Sequence, residues 1–283
     1  AVDWARRAFE NLDENPWHFE LDFGMIALLK RLPYPRWRKR NIRECSRMKS
    51  RGISCPFRGM ERIPAPFASL YEKAARMARE TYYVPVAEEA VGLLDGERVL
   101  DLGTGPGYLA VEIARRAPGV RVDGVDLSRR LIEAARRNAS AAGVTDRVHF
   151  ERGDASRLRW ADESFDMVIS TGMVHALKKP VRVFEECLRV LKTGGTALVY
   201  DPAQVSSRID DREWKASFTP GEWILFGLFR VFSKFNPRRE YTREEMARMI
   251  EKAGFRSYEI RTKGTEMRVR MTKTELTAFW RTR

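Results

Sequence analysis

Apolar residues recur at two different spacings along this chain, and the change from one to the other divides it. Up to about Leu32 the spacing is helical, as in Phe19, Phe23, Ile26, Ala27 and Leu29, broken by Pro16 and then by Pro33 and Pro35. Between Tyr34 and Pro66 there is no sustained period, and Pro and Gly punctuate the text, which predicts loop with one short helix. Helical spacing resumes from Pro66 to about Thr81 and again from Val84 to Leu94, where Gly96 closes it. Beyond Gly96 short aliphatic runs alternate with amphipathic ones. Strands are expected at Arg98 to Leu102, Arg121 to Val125, Val148 to Arg152, Phe165 to Ser170 and Thr196 to Tyr200. Helices are expected at Tyr108 to Arg116, Ser128 to Ala142 and Val181 to Leu191. Such alternation predicts an α/β fold with a doubly wound, mostly parallel sheet.

Two further features follow the fifth strand. Between Asp201 and Glu240 lies a stretch too long for a simple connection, carrying Trp214, Phe218, Trp223, Phe226, Phe229, Phe232 and Phe235; Leu225, Leu228, Phe229 and Phe232 share one helical face. Then Gly254 to Ile260 and Glu266 to Met271 flank Lys263-Gly264-Thr265, the pattern of a hairpin.

At 283 residues the chain has room for one main domain and an appendage, and 43% hydrophobic with 32% charged residues excludes a disordered polymer. No uncharged apolar run approaches the roughly 18 residues of a membrane-spanning helix. The stretch before Pro16 carries Asp3, Glu10, Asp13 and Glu14 without an apolar secretion core, so a cytoplasmic location is expected. Cys45, Cys55 and Cys187 are odd in number and too widely spaced for a structural zinc site; reduced thiols and no bound metal are expected. The net charge of +13 is concentrated between Lys30 and Arg62, with twelve basic residues against two acids. That segment could attract RNA, anionic lipid headgroups or an acidic substrate; a solvated Arg-rich surface of thermophile-like composition is the alternative.

The most informative segment is Val99-Leu100-Asp101-Leu102-Gly103-Thr104-Gly105-Pro106-Gly107-Tyr108, a strand that runs through three alternating glycines into a helix. Backbone without Cβ atoms can pass close to a ligand above the strand's carboxyl end. The dinucleotide fingerprint puts its third glycine one position later, where this chain has Tyr108, so a different nucleoside cofactor is favoured. Asp101 to Gly107 resembles the first motif of class I S-adenosylmethionine-dependent methyltransferases, and further motifs follow in that family's order. Asp126 closes Val122-Asp123-Gly124-Val125-Asp126-Leu127-Ser128, where a carboxylate can accept from both ribose hydroxyls. Asp154 in Gly153-Asp154-Ala155 resembles the acid that meets the adenine amino group. Ser170-Thr171-Gly172-Met173-Val174-His175-Ala176-Leu177 is similar to the segment facing the methyl donor in small-molecule members, including the ubiquinone/menaquinone-type enzymes. Leu188 to Gly195 resembles the helix and glycine turn before strand five.

The resemblance implies a Rossmann-like, seven-stranded methyltransferase domain at residues 66–283, with a lid inserted at about 203–240 and a helical, basic extension at 1–65. S-adenosyl-L-methionine is the implied cofactor, contacted by Asp101, Gly103, Thr104, Gly105, Gly107, Asp126, Leu127, Asp154, Ala155, Ser170 and Thr171. His175 is a candidate general base, with a packing or hydrogen-bonding role as the alternative. Tyr71 and Tyr82 lie where related enzymes cover the cofactor, or are ordinary core or surface aromatics. An apolar lid suits a small lipid-like, quinone-like or aromatic acceptor; the same face could instead dock on a membrane or a second subunit, or pack as a core helix. RNA is the alternative acceptor, approached through the basic segment, although the fourth strand lacks the Asn/Asp-Pro-Pro-aromatic run of base-amino methyltransferases. A non-catalytic, cofactor-binding partner protein is the third reading.

Overall fold

The computed structural model describes residues 65–203, 240–263 and 266–275. Helix α1 (Ala65–Met77) passes through one π-helical turn (Arg79–Tyr83) into α2 (Val84–Leu93). The alternation then runs β1 (Arg98–Leu102), α3 (Tyr108–Arg116), β2 (Arg121–Asp126), α4 (Arg129–Ala141), β3 (Val148–Arg152), β4 (Phe165–Thr171), α5 (Pro180–Val190), β5 (Leu191–Pro202), α6 (Arg243–Lys252), β6 (Ser257–Lys263) and β7 (Glu266–Thr272). The seven strands lie in the order β3-β2-β1-β4-β5-β7-β6. The first five are mutually parallel, and β7 is antiparallel to both its neighbours. The expected mixed seven-stranded sheet is therefore present. Its winding reverses between β1 and β4, which opens a crevice at their carboxyl ends.

Strand periodicity assigns the two cores. Leu100, Leu102, Val168 and Val199 face Phe184, Leu188, Ile250 and Phe255 on the side covered by α5 and α6. Val99, Met167, Ile169 and Leu198 face Ala87, Leu109, Ile113 and Ala135 on the side covered by α2, α3 and α4. Sealed on both faces, these strands read in sequence as continuous aliphatic runs. The π turn is fastened to this layer by Arg79, whose guanidinium donates to Glu112 on α3 at 2.7 Å; Arg115 and Arg116 engage the same buried carboxylate.

The structure departs from the sequence reading in two places. Strand β5 starts at Leu191, immediately after α5, and the expected glycine turn is a bulge inside it. Pairing jumps from Phe165↔Leu191 to Met167↔Thr196. The surplus residues include Gly194, at φ +85°, whose N–H donates to the Lys273 carbonyl. Helix α6 escaped the sequence reading; it buries only Met246 and Ile250, too few apolar positions to mark a helical period. Its start is fixed by a capping box: Glu245 N–H donates to Thr242 Oγ1 and Thr242 N–H to Glu245 Oε2, each at 3.1 Å. Thr242→Ala should cost about 1 kcal/mol, read as a fall of roughly 2 to 4 °C in Tm.

Cys187 is a buried free thiol, and burial pushes its pKa up to about 12. Cys45, Cys55, the basic segment, the rest of the 1–65 extension and the aromatic insertion at 204–239 lie outside the described residues, as do Gly264 and Thr265 of the hairpin turn. Among the described residues no helix is long and apolar enough to cross a membrane.

Candidate active site

The functional residues gather along the carboxyl edge of β1, β2, β4 and β5, where three apolar strands each end in or next to an aspartate: Asp101, Asp126 and Asp201. Beyond β1 the chain turns over β2, with the Gly103 and Thr104 N–H groups both donating to the Val125 carbonyl at 2.9 and 3.0 Å. Gly103, Gly105 and Gly107 adopt φ of +69°, +55° and +77°, the left-handed region that glycine enters without strain. The three are not equivalent. A Cβ at Gly103 would lie 2.8 Å from Met173 Sδ, and one at Gly105 3.3 Å from the Tyr71 ring. At Gly107 it would meet Phe150 at 2.6 Å and Ala135 at 2.8 Å, so this glycine lets α3 approach α4 and β3. Gly107 was expected to touch the cofactor; its visible role is packing.

Asp101 is 1% exposed. Its Oδ2 accepts from the Thr104 hydroxyl at 2.6 Å, while Oδ1 is buried with no hydrogen-bond partner among the described residues. Burial pushes its pKa up to about 7, against the lowering effect of the Thr104 bond and with a smaller upward push from Asp126. Asp126 is half-buried; Oδ2 accepts from Gly105 N–H at 3.1 Å and Oδ1 from Ser128 N–H at 2.7 Å. Desolvation raises its pKa, opposed by those two N–H groups. A carboxylate offers about four lone-pair sites, so two remain for a ligand. Ser128 caps α4, its Oγ accepting from Leu131 N–H, and leaves Asp126 free of that duty.

The other candidates divide. Leu127 sits beside Asp126, its carbonyl accepting from Arg152 Nε at 3.2 Å. Asp154 is exposed and its Oδ1 accepts from Ser156 N–H at 2.8 Å, which shapes the turn where adenine was expected; Ala155 beneath it belongs to the core. Thr171 ends β4 at the crevice. Ser170 does not open toward a ligand, because its hydroxyl is buried and donates to the Leu102 carbonyl at 3.1 Å.

His175, in a short 3-10 turn after β4, stands against Asp201 at the end of β5. Asp201, 2% exposed, accepts from Val174 N–H at 2.7 Å and from His175 N–H at 3.0 Å, and its Oδ1 lies 3.0 Å from His175 Nδ1. The sequence reading missed Asp201, having ended the strand at Tyr200. Its signal was available: like Leu100-Asp101 and Val125-Asp126, Tyr200-Asp201 is a strand closing on an acid. Above the edge the π turn delivers two adjacent tyrosines. Tyr83 hydrogen-bonds Tyr71 and faces Asp101, and Tyr82 hydrogen-bonds Glu266 near Asp201; burial raises both phenols well above their ordinary pKa. Among the described residues no group of three His, Cys, Asp or Glu is placed to hold a metal ion.

The family described as "Methyltransferase domain" matches residues 93–254, more than half of the chain. The chain belongs to the methyltransferase-domain family. Its fold is that of the class I S-adenosylmethionine-dependent methyltransferases, and its cofactor is S-adenosylmethionine. The methyltransferase domain is 34% identical over 149 residues to methyltransferase GfsG of Streptomyces halstedii, covering 52% of this chain and 50% of that protein. It is 30% identical over 168 residues to the ubiquinone/menaquinone biosynthesis C-methyltransferase UbiE of Geobacter sulfurreducens, covering 57% and 66% respectively. The matches thus span one half to two thirds of these relatives' length. A solved structure from Methanococcus maripaludis, assigned as an S-adenosyl-L-methionine-dependent methyltransferase, shares the methyltransferase fold at a TM-score of 0.57, with 22% identity over 74% of this chain and 92% of that one.

Proposed function

We propose that this protein transfers the methyl group of S-adenosylmethionine to a small apolar or aromatic acceptor by direct in-line displacement. The observation that carries the cofactor half of this reading is the orphaned Asp101 Oδ1. A buried acceptor without a partner costs stability, and a cationic ligand group above the glycine loop would relieve that cost. Asp101 therefore receives the cofactor's ammonium, with Thr104 holding the carboxylate in place. Gly103 and Gly105 admit the ligand against bare backbone, with Leu127 and Thr171 at the borders. Asp126 offers its two unused lone pairs to the ribose hydroxyls, and Asp154 with Ala155 borders the adenine. Bound there, S-adenosylmethionine supplies a methyl group that already carries its leaving group. The protein's task is to align an acceptor with it and exclude water.

The acceptor half rests on the similarity to UbiE, whose name places its methylation in ubiquinone/menaquinone biosynthesis, and on the aromatic insertion at about 203–240. Asp126→Ala should weaken S-adenosylmethionine binding by about 1 to 3 kcal/mol, the loss when buried hydroxyls lose their acceptor. Calorimetric titration of wild type and variant, with NAD as control, tests this. Unchanged affinity in the variant, or binding of NAD alone, would sink the assignment.

A further inference from the structure

Resting on that reading, we infer that His175 is the general base of the transfer, that Asp201 is its positioning residue, and that the acceptor is an acidic hydroxyl such as a phenol or enol. Three features of the pair support this. Asp201 Oδ1 lies 3.0 Å from Nδ1 and holds the proton on that nitrogen, so Nε2 carries the lone pair. Nε2 itself has no hydrogen-bond partner among the described residues, although the side chain is only 9% exposed. The backbone N–H groups of Val174 and His175 are tied to the same carboxylate, so the turn that carries the ring is fixed against Asp201.

Charge around the pair favours its use as a base. The Asp201 carboxylate stands 3.0 Å from Nδ1, whereas Glu266 is already paired with Arg268. A carboxylate against the ring stabilises the imidazolium that forms once Nε2 has taken a proton. Methyl transfer to a hydroxyl needs that step: the acceptor oxygen bonds to the methyl carbon, the carbon–sulfur bond breaks with its electron pair returning to sulfur, and the hydroxyl proton passes to Nε2 and later to solvent. An imidazole takes a proton most readily from a phenol or enol, whereas a less acidic aliphatic hydroxyl gives its proton up only as the new oxygen–carbon bond forms, so the acidic hydroxyl is the acceptor this base suits best. An amine whose lone pair is already free would require no such device.

The test uses the full chain saturated with S-adenosylhomocysteine and 4-nitrophenol as probe, in a mildly acidic buffer where the free phenol is neutral and colourless. Calorimetry first establishes that S-adenosylhomocysteine binds; if it does not, the cofactor reading falls and this one with it. In the wild-type complex the bound probe should show the visible absorbance of its phenolate. His175→Gln should lose most of that band and keep its S-adenosylhomocysteine affinity within about twofold, and added imidazole should restore the band in His175→Ala. Asp201→Asn, which keeps the volume but not the charge, should lose the band as well. A phenolate band that survives in His175→Gln overturns the base. A wild-type complex that binds S-adenosylhomocysteine yet shows no band overturns the acidic-hydroxyl acceptor.

Discussion

Asp101→Asn is expected to weaken S-adenosylmethionine binding by about 1.5 to 3 kcal/mol, the value of a hydrogen bond to a charged group, and to abolish the proton release expected on binding to the wild type. The reason lies in the burial of Asp101. Burial holds the Asp101 carboxyl at a pKa of about 7, so below that pH much of the population is protonated. An arriving ammonium favours the carboxylate and expels the proton. The sign follows from the raised pKa. The contribution of this group to folding stability is present at low pH and lost as pH rises through about 7, because the charge then forms in a buried place. Ligand binding runs the other way and tightens over the same interval. Titrations in two buffers of different ionisation enthalpy, about one unit below and above that pH, read the proton count directly. Equal proton release in Asp101→Asn would show that another group titrates.

Gly107→Ala is expected to cost about 2 to 5 kcal/mol of stability and to lower Tm by roughly 10 °C. Part is backbone strain, about 1 to 2 kcal/mol for an L-residue in the left-handed region at φ +77°. The rest is overpacking, about 1 to 3 kcal/mol, because the new methyl would press on Phe150 Cζ at 2.6 Å and on Ala135 at 2.8 Å, and the Ala135 backbone cannot step aside. Gly172→Ala is the control. It has the same sign of φ, +61°, but nothing within 4 Å of the added methyl, so only the strain remains. Thermal unfolding of the two variants separates the contributions; equal losses would assign the whole effect to the backbone.

The strand and helix pattern was legible in the sequence because both faces of the central sheet are sealed, which concentrates aliphatic residues at consecutive positions of β1, β4 and β5. The cofactor loop was legible because glycines at alternate positions after a strand have few other uses. What stayed hidden depends on partners distant in sequence. Ser170 looks like a ligand residue until its hydroxyl is found on the Leu102 carbonyl, and Gly107 looks like its two neighbours until Phe150 and Ala135 are in place. The Lys192-Thr193-Gly194-Gly195 run reads as a turn, yet it lies between Leu191 and Thr196, both paired with β4, and Gly194 and Gly195 exchange backbone hydrogen bonds with Lys273, which makes it a bulge inside one strand. Asp201 was overlooked because strand patterns are read from apolar positions, and its importance comes from His175, 26 residues earlier.

The π turn between α1 and α2 sets a phase. Two N–H groups, Tyr82 at 2.9 Å and Tyr83 at 3.4 Å, share the Ala78 carbonyl, and Val84 N–H reaches back to Arg79, so the helix carries one residue more than a regular turn holds. Deleting a residue from this turn would restore regular winding and rotate α1 by about 100° about its axis. Tyr71 would then leave Gly105, although no side chain in the crevice had been altered. At this position the count of residues governs whether the aromatic roof closes over the glycine loop, so single-residue insertions and deletions should be far more damaging here than substitutions.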